Sequence, residues 1–118
     1  MLTLQTTDGS TWFKPGELIE GRASWFLDEE AEAIEVRLFW YTSGKGTQDV
    51  GIVHTLRIDR PETSGHRDFS FPVPEGPYSF SGKLITLAWA MELVVLPTGE
   101  TERFDLVIGP RPVEVMLS

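Results

Sequence analysis

Apolar residues recur at every second position through most of this chain. Between Glu17 and Leu27 one set reads Ile19, Gly21, Ala23, Trp25 and Leu27, and the alternate set reads Leu18, Glu20, Arg22, Ser24 and Phe26. Successive side chains of an extended chain point to opposite faces, so this pattern predicts a strand with one face buried. From Ala33 to Thr42, Ile34, Val36, Leu38 and Trp40 share one face, and Glu35, Arg37, Phe39 and Tyr41 share the other. The acidic turn Asp28-Glu29-Glu30 between the two segments predicts a hairpin. The Ala- and Glu-rich stretch from Glu29 to Glu35 favours a helix in isolation. The apolar residues that follow return every second position rather than every third or fourth, which limits any helix there to one turn.

Glycines make Ser43-Gly44-Lys45-Gly46 a loop. Val50, Ile52, His54, Leu56 and Ile58 then alternate with Gly51, Val53, Thr55 and Arg57, until Arg60-Pro61-Glu62-Thr63-Ser64-Gly65 breaks the strand. Phe69, Phe71 and Val73 form a short strand. Pro72, which has no N–H to give to a ladder, confines it to an edge or ends it. Pro74-Glu75-Gly76-Pro77 is a rigid turn. Leu84 to Leu96 is the longest strand, with Ile85, Leu87, Trp89, Met91, Leu93 and Val95 on one face and Ala88 and Ala90 on the other. A strand apolar on both faces belongs at the centre of its sheet. Pro97-Thr98-Gly99-Glu100 turns the chain, and Phe104, Leu106 and Ile108 return antiparallel. After Gly109-Pro110-Arg111-Pro112, Val113, Val115 and Leu117 make a last short strand.

The count is about seven or eight strands at the turn spacing of a sandwich or barrel. With no helical pattern to supply crossovers, the pairing must be largely antiparallel. No repeat and no low-complexity linker divides the chain, so residues 1–118 are expected to form one all-β domain, an antiparallel sandwich with a core on Trp25, Trp40 and Trp89.

Two stretches carry a family resemblance. Phe13-Lys14-Pro15-Gly16-Glu17-Leu18-Ile19-Glu20-Gly21 resembles the aromatic-x-Pro-Gly-Glu-x-hydrophobic-x-Gly segment that opens the second strand of arrestin-like domains. Phe69-Ser70-Phe71-Pro72-Val73-Pro74, followed by Pro77-Tyr78-Ser79-Phe80-Ser81-Gly82, is similar to that family's F-x-hydrophobic-P strand and the P-S-F-x-G turn before its long strand. Order and spacing agree over most of the chain. The resemblance implies an immunoglobulin-like, arrestin-like sandwich with a non-catalytic scaffold or adaptor habit. Arrestins usually carry two such domains, and this chain is long enough for one. Their charged polar core and receptor-binding loops have no residue-level counterpart here, so no receptor, phosphate or clathrin site carries over.

Composition narrows the function classes. Eighteen acidic and ten basic residues among 118 give a formal net charge of −8. Nucleic acids and anionic membranes need clustered cations, and Arg22, Arg37, Arg57, Arg60 and Arg67 are scattered, so neither is the expected partner. The chain has no cysteine, which removes disulfides, thiolate zinc sites and Cys nucleophiles. The first residues lack the basic and apolar regions of a signal peptide. Leu84 to Leu96 is too short to span a bilayer and carries Glu92. A cytoplasmic protein without direct membrane insertion is the expectation.

The remaining chemistry reduces to turns and packed faces. Asp28, Glu29, Glu30, Glu32 and Glu35 offer oxygen ligands, but their spacing matches no EF-hand loop, and a solvated turn is the simpler reading. His54 falls on an apolar strand face and His66 in a loop, so no metal site is expected. Gly44-Lys45-Gly46-Thr47 lacks the earlier glycine and the following helix of a phosphate loop. No nucleophile–base set is present, and Asp59 with Glu62 is a pair only in a turn, so neither catalysis nor a cofactor is expected. Arg37, Phe39 and Tyr41 stand out as aromatics beside an arginine on the face opposite the core, a composition enriched at protein interfaces. The expected function is therefore protein interaction, with self-association as its simplest form. The alternative is a small-ligand or carbohydrate-binding module using Trp12, the one tryptophan placed in a loop.

Overall fold

The computed structural model of the chain describes residues 1–44, 48–82, 85–110 and the backbone of 115–116. Its strands are β1 (Leu2–Thr6), β2 (Trp12–Phe13), β3 (Leu18–Phe26), β4 (Ala33–Gly44), β5 (Val50–Asp59), β6 (Ser64–Pro72), β7 (Phe80–Ser81), β8 (Ile85–Leu96), β9 (Thr101–Ile108) and β10 (Val115–Met116). Lys45 to Thr47 of the expected glycine loop, Leu84 of the long strand, and Val113 and Leu117 of the last strand lie outside the described residues.

Two sheets enclose one core. The smaller has the order β1-β3-β6, antiparallel throughout. The larger runs β5-β4-β8, and the far side of β8 is shared. Its N-terminal end pairs β7 at Leu87 and Thr86, and its C-terminal half pairs β9 from Trp89 to Val94. The long pairings are all antiparallel. The parallel contacts, β2 with β9 and β10 with β7, are two residues each. The all-β, antiparallel architecture expected from the alternation is thus observed, as the immunoglobulin-like sandwich that the resemblance implies, and β8 is central in its sheet.

The core is built from the inward sets of both sheets, including Ile19, Ala23, Trp25, Phe69 and Phe71 facing Ile34, Val36, Leu38, Trp89, Met91 and Leu93. Trp25 and Trp89 are buried as expected, whereas Trp40 is only half-buried, at the open end of β4. The buried indoles are satisfied: Trp25 Nε1 donates to the Glu62 carbonyl at 2.8 Å and Trp89 Nε1 to the Pro77 carbonyl at 2.8 Å.

Both stretches that carried the family resemblance do structural work. Pro15 and Gly16 occupy the centre of a tight turn in which the Glu17 amide donates to the Lys14 carbonyl at 3.1 Å. Gly16 takes φ +87°, the left-handed value such a turn needs. Ser79 is buried and ties the far end of β9, its amide donating to the Ile108 carbonyl at 2.8 Å and its Oγ accepting from the Ile108 amide at 3.0 Å.

Three expectations are corrected. The turn Asp28-Glu29-Glu30 does not close a hairpin, because β3 and β4 belong to different sheets and the turn arches across the sandwich. The arch is held by backbone bonds to neighbouring loops, from the Leu27 amide to Thr63 O and from the Glu32 amide to Leu96 O. Second, β6 begins at Ser64 rather than near Phe69. Its polar first half is a strand because β3 offers it a ladder from Phe26 to Arg22. Third, β5 does not keep one alternation. A bulge interrupts its pairing with β4, so that Leu38 lies opposite His54 but Phe39 opposite Ile52.

Candidate functional site

The bulge decides what the outer face of the larger sheet presents. Val53 is the extra residue, and beyond it the phase of β5 reverses. His54, Leu56 and Ile58 point toward the core side. So do Val53 and Gly51, which leaves Ile52 and Val50 on the outer face, 57% and 64% exposed. Gly51 is needed for this arrangement, since the Trp40 ring lies where its Cβ would be.

Cross-strand registers arrange the outer face in rows. Two rows are apolar: Val50, Tyr41 and Ala88, then Ile52, Phe39 and Ala90, with Asp105 at the end of the second. Two rows are charged: Thr55, Arg37, Glu92 and Arg103, then Arg57, Glu35, Val94 and Thr101. The face is therefore half apolar and half charged, with Val50 and Ile52 on the edge strand beside the apolar half.

Arg103 joins the halves. Its guanidinium carbon lies 4.5 Å from the Tyr41 ring centroid and 5.6 Å from that of Phe39, and its Nε is 3.1 Å from Asp105 Oδ1. The floor beneath is Ala88 and Ala90, and residues this small let a long side chain from β9 lie flat toward β4. A shallow groove of about 380 Å³ opens beside it, lined by Tyr41, Ala88, Asp105, Val107 and Thr11.

On the charged half, Glu35 accepts from two arginines. Arg37 Nη2 is 2.8 Å from Glu35 Oε1, and Arg57 Nη1 is 2.7 Å from Oε2, while Arg57 Nε reaches Asp59 Oδ1 at 2.8 Å. The hydrogen bond from Arg37, and then that from Arg57, hold the Glu35 carboxyl below its usual value despite its burial. Glu35 thus leaves the acidic run of the sequence. Asp28, Glu29, Glu30 and Glu32 stay exposed in the arch, near Glu100.

Of the residues singled out by the sequence, Arg37, Phe39 and Tyr41 do share the outer face. Phe39 is not an exposed aromatic: it is 7% exposed, covered from β9 by Arg103. Tyr41 and Arg37 are half-buried. Trp12 is not in a free loop. It forms β2, and its indole N–H donates to the Gly109 carbonyl at 3.0 Å, with Lys14 Nζ 5.5 Å from the ring. His54 stacks on Phe71 at 5.7 Å and its Nε2 lies 3.0 Å from the Pro72 carbonyl, joining the edge strands β5 and β6 of the two sheets. His66 is in β6, opposite Ser24.

The sequence reading missed Val50, Ile52 and Arg103. Two signals stood for the first two: adjacent apolar residues at Ile52-Val53, which break a strict alternation, and a glycine inside a strand. Nothing local marks Arg103, whose partners lie two strands away.

The structure as a whole is similar to that of Spo0M, a sporulation control protein from Bacillus subtilis. The TM-score is 0.57 at 16% identity, over 95% of this chain and 49% of that one. Spo0M has the arrestin fold. The fold of this chain is arrestin-like. The chain spans about half the length of Spo0M. A β-glucosidase from Listeria innocua is also similar, at TM-score 0.47 and 10% identity, over 98% of this chain and 16% of that one. No family model and no curated protein matches. Within this arrestin-like sandwich the half-apolar outer face lies on the larger sheet, beside the edge strand β5. Among the described residues no helix is long and apolar enough to cross a membrane.

Proposed function

We propose that this chain is a non-catalytic interaction domain that binds a protein partner on the outer face of its larger sheet, beside strand β5. The observation that carries the reading is the exposure of Val50 and Ile52, next to Tyr41 and Arg103, on one face. Fully burying Val50 or Ile52 in a contact is worth up to about 1.5–3 kcal/mol. Tyrosine and arginine are the side chains most enriched at interface hot spots. Among the described residues β4 is the one ladder partner of β5, so the other side of β5, which adjoins the patch, is open to a partner backbone. Spo0M, which is similar in fold, is a sporulation control protein, and a regulatory role agrees with binding a partner.

Selection from a displayed random-peptide library tests the reading. Peptides enriched on the native domain are expected to lose binding to the double variant Val50→Ser, Ile52→Ser. Enriched peptides that bind both forms equally would place the contact elsewhere, and a library yielding no binder would remove the support for an interaction surface.

A further inference from the structure

We infer that the segment recognised on this face carries a carboxylate next to an aliphatic side chain, the carboxylate seated on Arg103 and the aliphatic group on Val50 and Ile52. This rests on the interaction reading above and names the partner's chemistry.

Arg103 is the cation of this face that is free to take an anion. Among the described residues its one ion-pair partner is Asp105, through Nε. Among the described residues the two terminal nitrogens of its guanidinium make no protein hydrogen bond, and the side chain is 45% exposed. The rings of Tyr41 and Phe39 lie against the guanidinium and restrict its freedom before a ligand arrives. An arginine fixed in this way loses little rotamer freedom on binding, which is the main cost of using a long side chain in an interface.

The apolar half by itself is too small to hold a second copy of this chain. The apolar half covers two cross-strand rows of about 6.8 Å along the strands and three strands of about 4.8 Å across, roughly 200 Å² in projection. A stable dimer needs about 800 Å² of each partner, so even a doubling for side-chain relief leaves the patch short. A short extended segment fits. One strand spacing separates Val50 from Tyr41, and the guanidinium lies 4.5 Å from the Tyr41 ring. The two anchor points are therefore within about 10 Å, or two to three residues of extended chain.

The anion is a carboxylate rather than a phosphate. Asp105 is bonded to Arg103 and Glu92 is its cross-strand neighbour. Attraction to Arg103 and repulsion from the two carboxylates both scale with the ligand's charge, and the three groups together carry a formal −1, so the net repulsion grows with that charge and favours the monoanion.

The test uses eight-residue peptides containing one Glu and one Leu two residues apart, with matched peptides bearing Gln, phosphoserine or Lys in place of Glu. Binding is read from the amide shifts of Val50, Ile52 and Tyr41 and from the Arg103 Nε resonance. The Glu peptide is expected to bind about tenfold or more tightly than the Gln peptide. Arg103→Gln should remove that difference, and Arg103→Glu should transfer preference to the Lys peptide. Thermal melts of both variants check that the fold is intact, and the Glu-to-Gln change in the peptide needs no protein variant. Equal binding of Glu and Gln peptides, with shifts still at Val50 and Ile52, would overturn the carboxylate while leaving the interaction face standing. A phosphoserine peptide binding in preference to Glu would overturn the choice of anion. Concentration-dependent shifts of the free protein at this face would make a second copy the occupant and overturn this inference alone, whereas shifts from no peptide would overturn both this inference and the reading beneath it.

Discussion

Phe39 lies opposite Ile52, while its neighbour Leu38 lies opposite His54. One unmatched residue, Val53, therefore turns the two ends of β5 to opposite faces. Leu56 and Ile58 are half-buried on the core, whereas Val50 and Ile52 face outward beside Tyr41 and Phe39.

Because Val50 and Ile52 are outside the core, replacing both by serine should change folding stability by no more than about 0.5 kcal/mol. Ile34→Ala, at a fully buried position in the adjacent strand, should cost about 2–5 kcal/mol. Urea midpoints of the two variants check the contrast. A loss above 2 kcal/mol in the serine variant would mean that the strand alternates without the bulge.

Gly21 and Gly51 should respond differently to alanine. A Cβ at Gly21 would sit 2.6 Å from Phe69 Cζ and would also meet the carbonyl oxygen of Gln5, a backbone atom fixed in the β1–β3 ladder. Gly21→Ala should therefore cost about 1–3 kcal/mol. At Gly51 the obstacle is the Trp40 ring, a half-buried side chain that can turn toward solvent. Gly51→Ala should cost less and should red-shift tryptophan emission, which the Gly21 variant should not do. Melting temperature and fluorescence of the pair give the answer.

Glu35 should make stability fall in acid. Its folded pKa lies below the usual 4.5 because Arg37, then Arg57, donate to the carboxylate. A depressed carboxyl stabilises the fold above its unfolded value and loses that contribution as pH falls through the folded one. Glu35→Gln should be less stable than the native chain by about 1 kcal/mol at pH 7, the modest size reflecting a half-exposed Arg57. The gap should shrink below about pH 4.5. Urea midpoints at pH 7 and pH 3 measure it, and a gap unchanged between them would mean that the carboxylate is not the paired species.

Much of the architecture was legible in the chain itself. The alternation at Ile19, Ala23 and Trp25, and at Ile34, Val36 and Leu38, marks buried faces because strand side chains repeat with period two whatever the partner. The two-sided apolar run around Trp89 marks the central strand, since only burial on both faces tolerates it. Pro15-Gly16 specifies its turn through the φ values the two residues allow.

Tertiary structure decided the rest. Which strands share a sheet depends on long-range pairing, so the acidic turn after Leu27 became an arch rather than a hairpin. The polar residues Ser64 to Asp68 became a strand because β3 supplied hydrogen bonds that their own side chains do not announce. The phase of β5 changed because the Trp40 ring occupies the space over Gly51 and the ladder absorbed one residue at Val53. Arg103 met Tyr41 only because β9 returned beside β8 and the alanines between left room for it. Local periodicity determines how a strand presents its faces, but the ladder, which joins residues far apart in sequence, determines which faces meet.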